Sequence, residues 1–249
     1  TGVDDNNSDR NQAYRISLYA EDQKTNNPEV TTLAGSGSSG STNGTGTSAT
    51  FNYPIGVAKV GNYLYVTDYN NNKIRKIVIS TGAVTTLAGG AQGSADGTGT
   101  SASFKQPLGI TTDGTNLYVT DQFNHTIRKI VISTGAVTTF AGSPGSHGYT
   151  AGTGTAAKFY YPVGITTDGT NLYVSDHYNN KIRKIVIATG VVSTLAGSSS
   201  GYTDATGTSA KFNGPTGITT DGTDLYVADS NNHKIRKIVI STGVVTTLA

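Results

Sequence analysis

Short runs of alternating apolar and polar residues, separated by turns that contain glycine, fill most of the chain. In the stretch that follows Phe104, this pattern predicts four strands, at residues 109–112, 116–120, 126–133 and 136–141. The Asp113-Gly114 pair is a hairpin signal between the first two of these strands. No segment repeats its apolar residues at helical spacing, so the pattern predicts an all-β protein.

The same four-strand pattern occurs four times. Each copy begins with Phe and continues with Pro-x-Gly-Ile/Val, Leu-Tyr-Val-x-Asp, Ile-Arg-Lys-Ile and Val-x-Thr-Leu/Phe-Ala. The first residues of the copies are Phe51, Phe104, Phe159 and Phe212, which lie 53, 55 and 53 residues apart. Four short strands and a long Gly/Ser/Thr loop in every period predict the blades of a β-propeller, because α-solenoid repeats would need helical segments.

The residues between the second and third strands of each copy connect the chain to a known family. Asn124-His125 and Asn232-His233 stand there in two copies, and Asn71-Asn72 and Asn179-Asn180 in the others. Together with Pro-x-Gly-Ile and Tyr-Val-x-Asp, these pairs make residues 51–249 resemble the NHL-repeat β-propeller family. The resemblance implies antiparallel four-stranded blades with the first strand nearest the central axis and the fourth at the rim. It also implies a binding or scaffold role more often than catalysis, and it does not fix a ligand.

We therefore predict one propeller domain with four full blades over residues 36–249, preceded by a partial blade. The blades cover about 36–89, 90–142, 143–197 and 198–249. Residues 1–35 are predicted to hold the outer strands of the partial blade, because residues 14–20 alternate like a third strand and residues 30–35 repeat the Val-Thr-Thr-Leu-Ala-Gly of a fourth. The family's usual ring of six blades would need strands beyond these.

Composition excludes several classes of protein. The chain has no Cys, which excludes a disulfide framework, a Cys-ligated metal site and a Cys nucleophile. The net charge is +2, and 11 of the 18 Lys and Arg residues recur once per copy, so they are spread around a ring instead of forming one patch. We predict no nucleic-acid partner. We also predict no membrane insertion, because no apolar run approaches the ~20 residues of a spanning helix.

Acidic residues and histidines at repeated positions favour structural roles. Asp68, Asp121, Asp176 and Asp229 end the second strands, where they are predicted to accept backbone N–H groups or to pair with the Arg of the third strand. A metal-binding ring of these carboxylates, and a calcium loop at Asp96, are the alternatives. No cofactor is predicted. A metal-dependent lyase or hydrolase on the propeller axis stays open as an alternative function, although the sequence shows no catalytic signature.

Aromatic and amide side chains collect at positions that differ between the copies. These positions follow the Asp of the second strand or precede the Pro of the first strand, and all are expected on one face of the propeller. Rigid aromatic surfaces with amide donors suit a protein, peptide or glycan ligand; solvated loop tips are the alternative interpretation. The candidate binding residues are Tyr53, Tyr69, Gln106, Phe123, Tyr160, Tyr161, His177 and Tyr178.

The predicted function is a non-catalytic binding or scaffold module. Low charge, the absence of Cys and loops rich in Ser, Thr, Asn and Gly favour an extracellular or cell-surface location. A structural subunit that self-associates is the alternative, because the fourth strands, such as residues 82–88, carry no charge and no Pro to block strand addition. Cover of these strands by polar loops is the other interpretation, and the partial first blade is a second place for self-association.

Overall fold

Each repeat folds into one antiparallel sheet, because the chain reverses its direction at the turn that follows each strand. A computed structural model describes residues 29–249, which contain four such sheets arranged as the blades of a β-propeller. Residues 33–249 form one compact unit. The predicted all-β fold and its four blades are confirmed. The predicted strand at residues 14–20 lies outside the described residues.

Three blades have five strands, and the fourth has four. Blade 1 contains β1 (Gly44–Thr45), β2 (Pro54–Val60), β3 (Tyr63–Asp68), β4 (Lys73–Val78) and β5 (Ala83–Gly89). Blade 2 contains β6 (Gly97–Thr98), β7 (Pro107–Thr112), β8 (Asn116–Asp121), β9 (Thr126–Val131) and β10 (Ala136–Ala141). Blade 3 contains β11 (Gly152–Thr153), β12 (Pro162–Thr167), β13 (Asn171–Asp176), β14 (Lys181–Val186) and β15 (Val191–Ala196). Blade 4 contains β16 (Pro215–Thr220), β17 (Asp224–Asp229), β18 (Lys234–Val239) and β19 (Val245–Thr247).

Short 3-10 turns connect these strands. One set follows the second strand of each blade and the other lies in the crossing loops. The first set is Tyr69–Asn71, Gln122–Asn124, His177–Asn179 and Ser230–Asn232, and the second is Gly46–Ser48, Gly99–Ser101, Gly154–Ala156 and Gly207–Ser209. None of the residues from 29 to 249 forms a helix long and apolar enough to cross a membrane.

Within each blade the four main strands pair in sequence order from the axis to the rim. The inner strands β2, β7, β12 and β16 contact one another in series. In the first three blades a two-residue strand from the preceding crossing loop adds to the rim strand, as where Gly44 and Thr45 pair with Val84 and Ala83. A loop therefore covers the beginning of each of these uncharged rim strands, which removes part of the edge that strand addition would use.

The core lies between the blades. Tyr65, Ile74 and Ala88 of blade 1 pack against Phe104 and Ile110 of blade 2, and all five are buried. Equivalent clusters join blade 2 to blade 3 and blade 3 to blade 4. Burial of this size contributes roughly 1.5–3 kcal/mol for each large apolar side chain, so contact between blades is the main source of stability.

Residues 30–35 pair with no strand among residues 29–249. Because their predicted neighbour at residues 14–20 lies outside the described residues, the partial blade stays a prediction. The repeated Tyr of the second strand differs in burial between the blades. Tyr65, Tyr118 and Tyr173 are fully buried, but Tyr226 is only half-buried, because no further blade covers its side of blade 4 among residues 29–249.

Candidate binding site on the loop face

A buried Asp holds together the two loop segments that vary between the blades. In blade 2, Asp121 Oδ1 accepts the backbone N–H of Lys105 at 2.7 Å, just before the first strand. Its Oδ2 accepts from Asn124 Nδ2 at 2.7 Å and from an Arg128 guanidinium N–H at 2.9 Å. The other three blades repeat these contacts through Asp68, Asp176 and Asp229. The predicted pairing of the repeated Asp and Arg is confirmed.

The arginine of this pair is also held from the crossing loop. Arg128 donates to Asp96 Oδ1 at 2.8 Å, and Arg236 donates to Asp204 Oδ1 at 2.7 Å. Each guanidinium also lies over the Phe that begins its repeat, at 5.1 Å from the Phe104 ring centre in blade 2. Asp96, which suggested a calcium loop, thus serves as a partner of a buried arginine.

The residue that precedes the third strand of each blade, Asn or His, joins one blade to the next. Asn72 and His125 have φ values of 54° and 61°, in the left-handed region that Asn and His enter more readily than most residues. Asn72 Oδ1 accepts the backbone N–H of Gln106 at 2.9 Å, and His125 Nδ1 accepts that of Tyr161 at 3.3 Å. Both side chains offer an acceptor at the same place, which explains why the two residue types exchange between copies.

This frame displays a group of rings from blades 2 and 3, which we call the aromatic cluster. Tyr161 is at its centre, with ring-centre distances of 4.8 Å to Phe123, 4.9 Å to His125 and 5.0 Å to Tyr178. Tyr160 lies beside Tyr161, 5.4 Å away. The members of the aromatic cluster are Phe123, His125, His147, Tyr160, Tyr161, His177 and Tyr178.

Two further rings in blade 1 extend the aromatic cluster along the same face. Tyr53 and Tyr69 lie 5.9 Å apart, and the Tyr69 hydroxyl donates to Gln122 Oε1 of blade 2 at 3.1 Å. Burial, together with the nearby hydroxyls of Tyr53 and Tyr161, raises the pKa of Tyr69 above its ordinary value. Tyr69 therefore stays neutral and keeps a proton to donate at physiological pH.

The accessible surface of the aromatic cluster carries rings, amides and little charge. Asp121 and Asp176, the carboxylates that end β8 and β13, are fully buried and paired with arginines. Burial, followed by the charges of His147 and Lys105, lowers the pKa of His125. A neutral His125 keeps its ring nitrogen free to accept the N–H of Tyr161. The site is therefore suited to stacking and neutral hydrogen bonding, not to charge recognition.

Most of the predicted binding residues come together. Phe123, Tyr160, Tyr161, His177 and Tyr178 form most of the aromatic cluster, and Tyr53 and Tyr69 form the adjoining pair. Gln106 lies at the same repeat position as Tyr53 and Tyr161, and all three residues have positive φ. Its backbone N–H donates to Asn72 Oδ1.

The structure brings three residues to this face that are not among the candidate binding residues predicted from the sequence. His125 was interpreted as structural only, and its ring also contacts three neighbours in the aromatic cluster. His147 stacks on Tyr160 at 4.3 Å with an interplanar angle of 21°, and Gln122 accepts from Tyr69. The sequence signal for His147 is its position in a crossing loop of the same face, but Tyr149 shares that signal and lies beside Lys181 instead.

Exposed tyrosines of the crossing loops take other positions. Tyr149 and Tyr202 lie beside Lys181 and Lys234, with the ammonium groups 5.2 Å and 6.0 Å from the ring centres. They are 67% and 69% exposed. Within residues 29–249, no three His, Asp or Glu side chains are grouped so that they could hold a metal ion.

The comparisons with known proteins agree with this geometry. The NHL repeat family model matches residues 212–238, which begin at the first Phe of blade 4 and run through most of its third strand. NHL repeat-containing protein 2 of Homo sapiens is 34% identical over 163 residues, which are 59% of this chain and 22% of the human protein. This chain belongs to the NHL-repeat β-propeller family.

A second curated relative is also much longer than this chain. The Arabidopsis thaliana protein SUPPRESSOR OF QUENCHING 1, chloroplastic, is 31% identical over 237 residues, which are 87% of this chain and 22% of that protein. The chain thus spans about a fifth of the length of these curated relatives.

Two solved structures share the fold of this NHL propeller. An auxiliary nutrient binding protein from Bacteroides ovatus has a TM-score of 0.62 at 22% identity, over 81% of this chain and 50% of that one. Its counterpart from Bacteroides thetaiotaomicron has a TM-score of 0.60 at 20% identity, over 78% of this chain and 48% of that one. At these identities the likeness shows the fold alone.

Proposed function

We propose that this NHL propeller is a non-catalytic binding module that holds a neutral glycan or peptide on the aromatic cluster, outside the cell or at its surface. The observation that carries the proposal is the convergence of seven rings from two neighbouring blades on one face. The repeated Asp–Arg–Asn frame fixes their backbone, so little ordering of the site is needed when a ligand binds.

The chemistry of the aromatic cluster favours this ligand class. Tyr178, which is 57% exposed, offers a ring face for stacking against a sugar ring or an apolar side chain. Tyrosine hydroxyls of the aromatic cluster, and the bonded Tyr69 and Gln122 side chains of the adjoining pair, supply neutral hydrogen-bonding groups. The Bacteroides proteins of the same fold are described as nutrient binding proteins, which supports a binding role.

Binding arrays test the proposal. Labelled protein would be applied to arrays of neutral glycans and uncharged peptides, and the affinity for the strongest ligand would be measured by calorimetry. Tyr178→Ala should raise the Kd at least about tenfold, the size expected for an exposed aromatic anchor. Tyr202→Ala is the matched control, because Tyr202 is at least as exposed as Tyr178 but lies beside Lys234 in a crossing loop. Equal affinity of the wild type and Tyr178→Ala would disprove the site.

A further inference from the structure

Two residues form an equivalent pair at the loop face of every blade. One precedes the Pro of the first strand by two positions, and the other is the second residue after the Asp of the second strand. In blade 3 the pair is Tyr160 and Tyr178, and the Tyr178 N–H donates to the Tyr160 carbonyl at 3.1 Å. The side chains of this pair decide the chemistry of the loop tip in each blade.

Blade 4 carries amides at this pair instead of rings. Its residues are Asn213 and Asn231, which are joined by the same backbone bond at 3.1 Å. Asn231 is exposed and Asn213 is half-buried. The residues equivalent to Asn231 in blades 1 and 3, Asn70 and Tyr178, are exposed as well, and another blade follows each of them. A following blade therefore leaves this position accessible.

The amides of blade 4 adjoin the aromatic cluster. A Cβ added at Gly214 would lie 2.5 Å from Asn231 Nδ2 and 3.0 Å from His177 Cε1. The two side chains are therefore immediate neighbours, and they have room because Gly214 stands where blade 3 has the ring of Tyr161. The rings of His177 and Tyr178 are 4.9 Å apart. The amides of blade 4 thus continue the surface that the rings begin.

The polar groups at this border are neutral and have hydrogen-bonding capacity to spare. Asn231 Nδ2 and Asn213 Oδ1 are 3.5 Å apart, a long contact that leaves N–H groups and oxygen lone pairs of both amides for a ligand. His177 Nδ1 donates to the Pro215 carbonyl at 3.2 Å, because a carbonyl oxygen can only accept, so the neutral ring offers Nε2 as an acceptor. Donors and acceptors therefore lie side by side next to the rings.

We propose that the ligand of the aromatic cluster is a neutral glycan of at least two sugar units, with one unit stacked on Tyr178 and the next bonded to Asn231 and Asn213. A sugar ring presents C–H groups on its face, which suit stacking on an aromatic ring. Each sugar hydroxyl both donates and accepts, so the hydroxyls of the neighbouring unit match the mixed donors and acceptors of the two amides. The inference rests on the proposed function and selects the glycan within it.

The same observations count against an uncharged peptide. A peptide bound in extended form needs a row of backbone donors and acceptors, such as the edge of a strand. At these loop tips the N–H groups of Tyr178 and Asn231 already donate to the carbonyls of Tyr160 and Asn213 within their own blades. Side-chain amides beside rings therefore favour hydroxyl groups as the partners.

NMR titration with maltose, cellobiose, lactose, their component monosaccharides and a set of uncharged peptides tests the inference. For the disaccharide that binds most tightly, Asn231→Ala should raise the Kd at least about fivefold, the size expected for a lost neutral hydrogen bond. It should leave the Kd of the stacked monosaccharide unchanged, whereas Tyr178→Ala should weaken the binding of both sugars. Thermal melting would show that each variant remains folded.

Asn70→Ala is the matched control. Asn70 has the same repeat position as Asn231 and donates to Asn52 Oδ1 at 3.1 Å, but it lies in blade 1, and blade 2 separates it from Tyr178. Its substitution should leave the Kd of the disaccharide unchanged. Disaccharide binding that depends on Tyr178 but not on Asn231, or that Asn70→Ala weakens equally, would overturn this inference and leave the proposed function standing. So would Tyr178-dependent binding of peptides alone, whereas a lack of binding by every probe would overturn both.

Discussion

Adding one methyl group at the same repeat position should have different consequences in blades 1 and 4. Gly56→Ala places a Cβ 2.5 Å from the Leu108 carbonyl oxygen and 3.0 Å from both Ile110 Cγ2 and Thr67 Oγ1. Ordinary van der Waals contact begins near 3.4 Å, so the inner strands of blades 1 and 2 must separate by nearly 1 Å. At Gly217 the nearest atom is 3.8 Å away, and nothing has to move.

The expected magnitudes follow from overpacking. Gly56→Ala should destabilise the fold by about 1–3 kcal/mol, the usual cost of forcing a methyl group into a packed contact. For a domain of this size that corresponds to a decrease in Tm of about 2–12 °C. Gly217→Ala should have no effect, or should stabilise by up to about 1 kcal/mol, because alanine lowers the entropy of the unfolded chain.

Scanning calorimetry and urea denaturation at low protein concentration would measure both variants. Low concentration keeps self-association from adding to the apparent stability. Equal decreases in Tm for Gly56→Ala and Gly217→Ala would refute the reasoning, because they would mean that blade 4 is covered as blade 1 is. Two equally unaffected variants would show that the close approach of the inner strands does not occur.

Further predictions concern the frame beneath the loop face. Asp176→Ala leaves Arg183 buried without its carboxylate and should lower the free energy of unfolding by about 3–5 kcal/mol in urea denaturation. Asp96→Ala removes a half-exposed partner of another arginine and should cost less than about 1 kcal/mol in the same assay. The lowered pKa of His125 means that the unfolded chain binds its proton more readily, so this residue's contribution is complete above about pH 6.5 and is lost as the pH falls. His125→Asn, which copies blades 1 and 3, should keep the bond to the Tyr161 N–H and flatten the dependence of Tm on pH between about 7 and 5; an unchanged pH dependence would contradict this role.

The repeat allowed most of the fold to be predicted. Residues that are identical in every copy, such as Asp121 and Arg128, have structural roles within the blade. The chain reverses between the second and third strands, and this reversal brings the Asp and the Arg together. The half-buried Tyr226 could not be predicted in this way. Its sequence neighbours match those of Tyr65, and its exposure depends on whether a further blade packs beside it.

The binding face was only partly predictable, because it is built from contacts between blades. Tyr160, Tyr161 and Tyr178 could be identified as variable residues on one face. His147 stacks on Tyr160, whereas Tyr149 of the same crossing loop lies beside Lys181. Which of the two rings joins the aromatic cluster depends on the path of this glycine-rich loop, and the sequence does not determine that path. No spacing rule distinguishes two tyrosines of the same face that lie in different loops.

The central claim is that a ligand occupies the aromatic cluster, and fluorine NMR of protein with fluorotyrosine at its 14 tyrosine positions tests it most directly. Resonances would be assigned from single Tyr→Phe variants, and the ligand selected on the arrays would be titrated into the protein. The account predicts that the signals of Tyr160, Tyr161 and Tyr178 shift together while those of Tyr149 and Tyr202 stay in place. Shifts confined to Tyr149 and Tyr202, with the aromatic cluster unchanged, would contradict it.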